Sequence, residues 1–270
     1  MTEKICAVDL GMPTLLEAAG AEESAALCAE LGLQFVELNM NLPEYADPAH
    51  MDREKLRALR EKYGVYFTLH LDERLDGCDF NPLVRNAYQE TLRRALELAQ
   101  EAEMPIVNLH LNHGVYFTLP GKKTYLYAER REEYLQHIDE MRRIGEEGAD
   151  ENIALCVENT DGFLAQEKKA LDLLMKSKRW GLTLDVGHMH SAGYVDDDVY
   201  IVHSGKLRHM HLHDALLMQA GKCHLPLGEG NLDWRNSLRT AEMRHCRAVI
   251  EVKTLSALRD SVKTLREAGK

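Results

Sequence analysis

The 270-residue sequence predicts an α/β fold, a parallel (β/α)8 barrel formed as one domain over residues 1–270. Short apolar runs suited to strands recur eight times, separated by segments of helical periodicity. Several of those runs end in His, Asp or Glu, which is where a barrel presents its active-site rim. An open doubly wound sheet is the competing arrangement, but no Gly-rich phosphate loop follows the first strand.

The strands are expected at residues 5–9, 34–39, 65–71, 105–111, 153–158, 181–185, 206–212 and 248–251. Amphipathic helices are expected at 21–31, closed by Gly32, and at 82–101, where Leu92, Ala95, Leu96 and Ala99 recur at helical spacing. Further helices are expected at 125–147, at 166–176, from near Trp234 behind a cap within 231–233, and at 255–267. The stretch after the sixth strand has the least clear helical pattern. The longer loops, 113–123 and 213–230, both follow strands and so belong on the C-terminal face.

Composition narrows the function classes. Hydrophobic residues make up 45% and charged residues 29%, as in ordinary water-soluble domains. No apolar run approaches the roughly 20 residues of a membrane span, and no signal-peptide pattern opens the chain. Six cysteines without a CxxC pair suggest thiols in a reducing, cytoplasmic setting. A formal charge of -11 argues against nucleic acid as a partner. Thirteen histidines exceed what the composition needs.

Strand alternation assigns faces. Ala154, Cys156 and Glu158 share one face, Thr183 and Asp185 another, and Asn108 and His110 a third, with branched residues opposite. The small and polar faces should line the barrel interior. The strand ends then deliver His70, His110, Glu158, Asp185, His211 and Glu251 to one rim, with His188 and His224 on its loops. So many carboxylates and imidazoles together call for compensation, and a divalent metal is the obvious candidate to supply it. His209 and His213 share the face of His211, so spacing does not choose among the three. His113 and His190 are further rim candidates. His50, His137, His203 and His245 read as solvated, and Glu229 as part of a glycine-rich turn.

The fragments TLH at 68–70, NLH at 108–110, VEN at 157–159, LDVGH at 184–188, HLHD at 211–214, HLPLGEG at 224–230 and IEV at 250–252 occur in strand-end order. Together they resemble the xylose-isomerase-like TIM-barrel superfamily. It includes endonuclease IV, the tagatose/psicose 3-epimerases and many sugar phosphate isomerase/epimerase proteins. The likeness runs from the third strand to the eighth, and it specifies the superfamily better than the reaction.

The resemblance to the epimerases implies one zinc, manganese or cobalt ion on Glu158, Asp185, His211 and Glu251, and no nucleotide cofactor. Glu158 and Glu251 would then be acid and base on a sugar or sugar phosphate. His188, His70, His110 and Lys222 would be substrate contacts, with Lys253 a second lysine for a phosphate. The resemblance to endonuclease IV instead implies a di- or tri-zinc phosphodiesterase with His70, His110, His188 and His224 as added ligands. Lys222 stands where that enzyme has an Asp, leaving Asp214 as the substitute. Glu73 stands where it has an aromatic residue. The acidic balance and short loops favour a small sugar over a bent duplex. A non-enzymatic sugar-binding barrel is a third reading, disfavoured by the presence of both glutamates. Barrels of this kind are often dimers or tetramers, though no stretch marks an interface.

Overall fold

A computed structural model describes residues 5–18, 20–219 and 221–268. Its strands are β1 (Leu10–Pro13), β2 (Phe35–Asn39), β3 (Tyr66–His70), β4 (Ile106–His110), β5 (Tyr116–Leu119), β6 (Lys122–Tyr125), β7 (Ala154–Glu158), β8 (Trp180–Asp185), β9 (Leu207–Leu212) and β10 (Arg247–Ile250). Eight of them close into a parallel barrel in the order β1-β10-β9-β8-β7-β4-β3-β2, while β5 and β6 form a separate antiparallel hairpin. The helices are α1 (Ala21–Glu30), α2 (Arg53–Tyr63), α3 (Pro82–Glu101), α4 (Leu126–Glu129), α5 (Arg131–Gly148), α6 (Ala165–Leu174), α7 (Val186–Ser191), α8 (Asp197–Val202), α9 (Trp234–Arg244) and α10 (Leu255–Ala268). No helix is long and apolar enough to cross a membrane among the described residues.

The expected alternation holds. Leu155, Val157, Leu182, Val107, Leu109 and Leu69 are buried in the layer between strands and helices. On the other face, Thr183 Oγ1 of β8 donates to Asn108 Oδ1 of β4 at 2.6 Å, across the barrel interior. Helix α3 shows the local logic. Pro82 opens it, the Asn81 side chain accepts from the Leu83 N–H, and Leu92, Ala95, Leu96, Leu98 and Ala99 face inward.

Three elements depart from expectation. The first strand lies at 10–13 rather than 5–9, because LGMP hides a strand behind two residues that usually signal turns. Gly11 and Met12 pair with Phe35 and Val36, and Leu10 with Ala248. A Cβ at Gly11 would stand 2.4 Å from the Phe35 ring, so only glycine lets that ring fill the barrel floor, where it stacks on Tyr66 at 5.2 Å. The helix expected over 125–147 begins as the hairpin strand β6 and breaks at Arg130 between α4 and α5. The weak pattern after the sixth strand resolves into two short helices, α7 and α8.

His137 is also corrected. It is buried on α5, with Nδ1 3.1 Å from the Cys78 carbonyl and its ring packed near Phe80. Charged neighbours in sequence hide this, since the covering residues come from the loop after β3. Replacement by alanine strands the Cys78 carbonyl and is expected to cost about 1–3 kcal/mol. Reversible denaturation checks this, and an unchanged midpoint would rule out the contact as a stabilising one.

Candidate metal centre

The strand ends converge as the alternation predicts. Glu158 ends β7, Asp185 ends β8, His211 lies on the inner face of β9, and Glu251 follows β10 directly. One ligand-type atom from each of these four lies within 4.8 Å of every other. His211 Nδ1 is 3.1 Å from Glu158 Oε1, 3.0 Å from Glu251 Oε2 and 3.9 Å from Asp185 Oδ2. Asp185 and His211 are fully buried, and Glu158 nearly so.

Burial alone would push these carboxyls toward the neutral form. For Glu158 that burial is outweighed by the charges of His211 and His110, which hold its pKa well below the usual range. For Glu251 the His211 ring outweighs burial in the same way. The four groups fit a divalent cation: three carboxylates and an imidazole are hard-to-borderline donors. Glu251 Oε2 is buried without an aligned hydrogen-bond partner among the described residues, and so is His110 Nε2. Such orphaned donor atoms suit a cation.

A second group shares Glu158. His70 Nε2 and His110 Nε2 each stand 3.2 Å from Glu158 Oε2. His70 Nδ1 lies 2.8 Å from the Leu71 carbonyl, which can only accept, so that nitrogen carries a proton. Burial works against charge on the His70 ring, but the Glu158 carboxylate prevails and raises its pKa to about 9. Asn108 Nδ2 also donates to Glu158 Oε2.

Asp185 is held from several directions. Its Oδ1 accepts the His188 N–H at 2.6 Å and so caps α7. Asn159 clamps its backbone through both N–H and carbonyl, and the single Tyr200 O–H is shared between Asn159 Oδ1 and the Thr183 carbonyl, each 2.6 Å from the hydroxyl oxygen. His188 and His224 meet edge to face at 5.1 Å beside this corner. Glu251 Oε1 is 3.6 Å from His224 Nε2 and 3.2 Å from Lys253 Nζ.

Other expected residues lie elsewhere. Lys222 is exposed in a turn closed by its backbone with Leu216 and Gln219, so Lys253 is the lysine that reaches the cluster. Asp214 is buried and accepts backbone N–H groups from Ala215, Gly228 and Leu232. It pins the loop after β9 and does not replace the missing Asp. His113 turns to Glu167 on α6 at 2.7 Å, and His190 bonds Tyr194 and Asn231.

Glu37 was missed by the sequence reading. From β2 its Oε1 stands 2.9 Å from His211 Nε2, off the N–H direction, while Oε2 takes His209 Nε2 at 3.0 Å and Thr68 Oγ1 at 3.2 Å. Burial opposes its charge, but His211 and His209 outweigh burial and lower its pKa. The alternation used elsewhere places Glu37 inward between Phe35 and Asn39, which was the available signal.

The family model described as "Xylose isomerase-like TIM barrel" matches residues 25–268. The chain belongs to this family. A curated relative, the uncharacterized protein MJ1311 of Methanocaldococcus jannaschii, is 27% identical over 217 residues, covering 77% of this chain and 71% of that protein. Among solved structures, a D-tagatose 3-epimerase-like protein is similar at TM-score 0.75 and 23% identity, with 96% of each chain covered. A structure of IOLI protein with a bound zinc atom is similar at TM-score 0.70 and 14% identity, covering 97% of this chain and 96% of that one. At these identities the structural likenesses establish the shared barrel. This xylose isomerase-like chain therefore carries its His, Asp and Glu cluster on the C-terminal rim, where barrels of this architecture place their active sites.

Proposed function

We propose that this chain is a divalent-metal-dependent sugar or sugar-phosphate isomerase or epimerase. The observation that carries the reading is the convergence of Glu158, Asp185, His211 and Glu251, with two glutamates meeting at one imidazole nitrogen. Zinc, manganese or cobalt held by these four residues would supply positive charge that lowers the cost of an enediolate from a hydroxy-ketone. Glu158 or Glu251 would remove the carbon-bound proton, and the other would return one. His188 and His224 would hold sugar hydroxyls beside the two glutamates. His211 and His110 keep Glu158 ionised, and Asn108 and His70 aim it through Oε2. The D-tagatose 3-epimerase-like neighbour and the zinc in IOLI protein support the same reading.

His70, His110 and Glu158 form a second group of ligand-type atoms within 4.8 Å of one another. That group favours a second reading, a multi-zinc phosphodiesterase in which Glu158 bridges two ions.

The deciding experiment is elemental analysis of protein purified without a chelating column, followed by incubation with ketoses and ketose phosphates in D2O. One metal per chain and deuterium entering a carbon next to the carbonyl are the expected results. Two or more zincs with phosphodiester cleavage and no exchange would transfer the case to the second reading. Sugar binding without metal or exchange would leave a binding protein.

A further inference from the structure

Asp185, His188, His213 and His224 each bring one ligand-type atom within 4.8 Å of the others. By residue type this is another cation site sharing Asp185. The hydrogen bonds argue against that. The His224 backbone N–H donates to His213 Nδ1 at 2.8 Å, so this nitrogen presents a lone pair and the ring proton sits on Nε2. Nε2 faces Asp185, 2.9 Å from Oδ1 and 3.0 Å from Oδ2. The Asp214 carbonyl, 3.3 Å from Nδ1, is the longer contact and cannot donate.

The ring has no freedom to turn away. It stacks on the His224 ring at 4.2 Å and 15°. His224 holds its backbone N–H in place from a left-handed conformation, φ 58°, and the neighbouring Leu225 exchanges backbone hydrogen bonds with Asp214. From below, a Cβ at Gly187 would lie 1.9 Å from the His213 ring, so a bare backbone is required for the ring to reach Asp185.

We propose that His213 is a positioning residue that fixes the Asp185 carboxylate and keeps a second cation out of the corner formed with His188 and His224. A cation needs a lone pair from each ligand, and here His213 offers a proton. Freeing Nε2 would move that proton onto Nδ1, where the His224 N–H already points. Asp185 is thereby reserved for the ion on Glu158, His211 and Glu251, and His188 and His224 stay available to substrate. The inference rests on the metal-dependent reading above.

Zinc is the probe, measured by equilibrium dialysis with elemental analysis. His188→Ala is expected to bind as many zinc ions as the unsubstituted chain, and one fewer would overturn the exclusion. His213→Leu is expected to weaken zinc binding about 10- to 100-fold, the usual effect of losing a residue that orients a metal ligand. His213→Gln carries an N–H of similar reach and should recover most of that loss, which a purely space-filling role would not explain. Unchanged affinity in His213→Leu would overturn the positioning role. Zinc-soaked crystals of the unsubstituted chain test the same point without any variant: an anomalous peak between Asp185, His188 and His224 overturns it. No zinc uptake by the unsubstituted chain would remove the metal-dependent reading as well, whereas normal uptake with a contrary result above removes this inference alone.

Discussion

Glu158→Gln is expected to lower turnover by at least about 10³-fold, within the range that acid–base catalysis supplies. The substitution keeps size and hydrogen-bonding capacity but removes the charge that faces His211, His70 and His110. A glutamine can neither accept the substrate proton nor balance those rings. Glu251→Gln should cause a loss of the same order, since it faces the same His211 nitrogen at 3.0 Å. Near-normal exchange of substrate hydrogen with D2O in either variant would strip that residue of its role. The melting transitions of the metal-free variants should remain cooperative, which separates lost chemistry from lost fold.

Asp185→Ala is expected to abolish metal-dependent stabilisation. Saturating the unsubstituted chain at a hundred times its dissociation constant should add about 2.7 kcal/mol, and the variant should gain nothing at that concentration. The variant also loses the cap on α7, about 0.5–2 kcal/mol, and leaves His213 Nε2–H without an acceptor, about 1–3 kcal/mol. In the chelated state part of this is offset, because one of three crowded carboxylates has gone. Melting with and without metal reads both effects, and an undiminished metal-induced rise in the variant would show that Asp185 is no ligand.

The barrel and its rim were legible because both follow from period-two alternation, a property of each strand by itself. Glu158 and Asp185 needed only that rule and the position of the strand end. Choosing among His209, His211 and His213 needed depth, which comes from register between strands. His211 pairs with Asp185 on one side and Val249 on the other, while His209 lies a layer deeper beside Thr183. No single strand carries that information. The first strand was misplaced because Gly11 obeys a packing demand set by Phe35, which arrives from the next strand. His137 was misread for a similar reason: what buries it arrives from another part of the chain. Lys222 was singled out by its place in a motif, but the loop fold turns it outward.

Glu37 and His209 stand in different terms as a single heritable unit. They are 172 residues apart in the chain and 3.0 Å apart in the barrel. Changing Glu37 alone leaves the His209 and Thr68 donors facing nothing, and changing His209 alone leaves a buried carboxylate short of a donor. Either single step lowers fitness before a compensating second step can restore it. Variation at the two positions should therefore arise together or not at all, and substitutions elsewhere in the barrel floor will be filtered through whichever pair is in place.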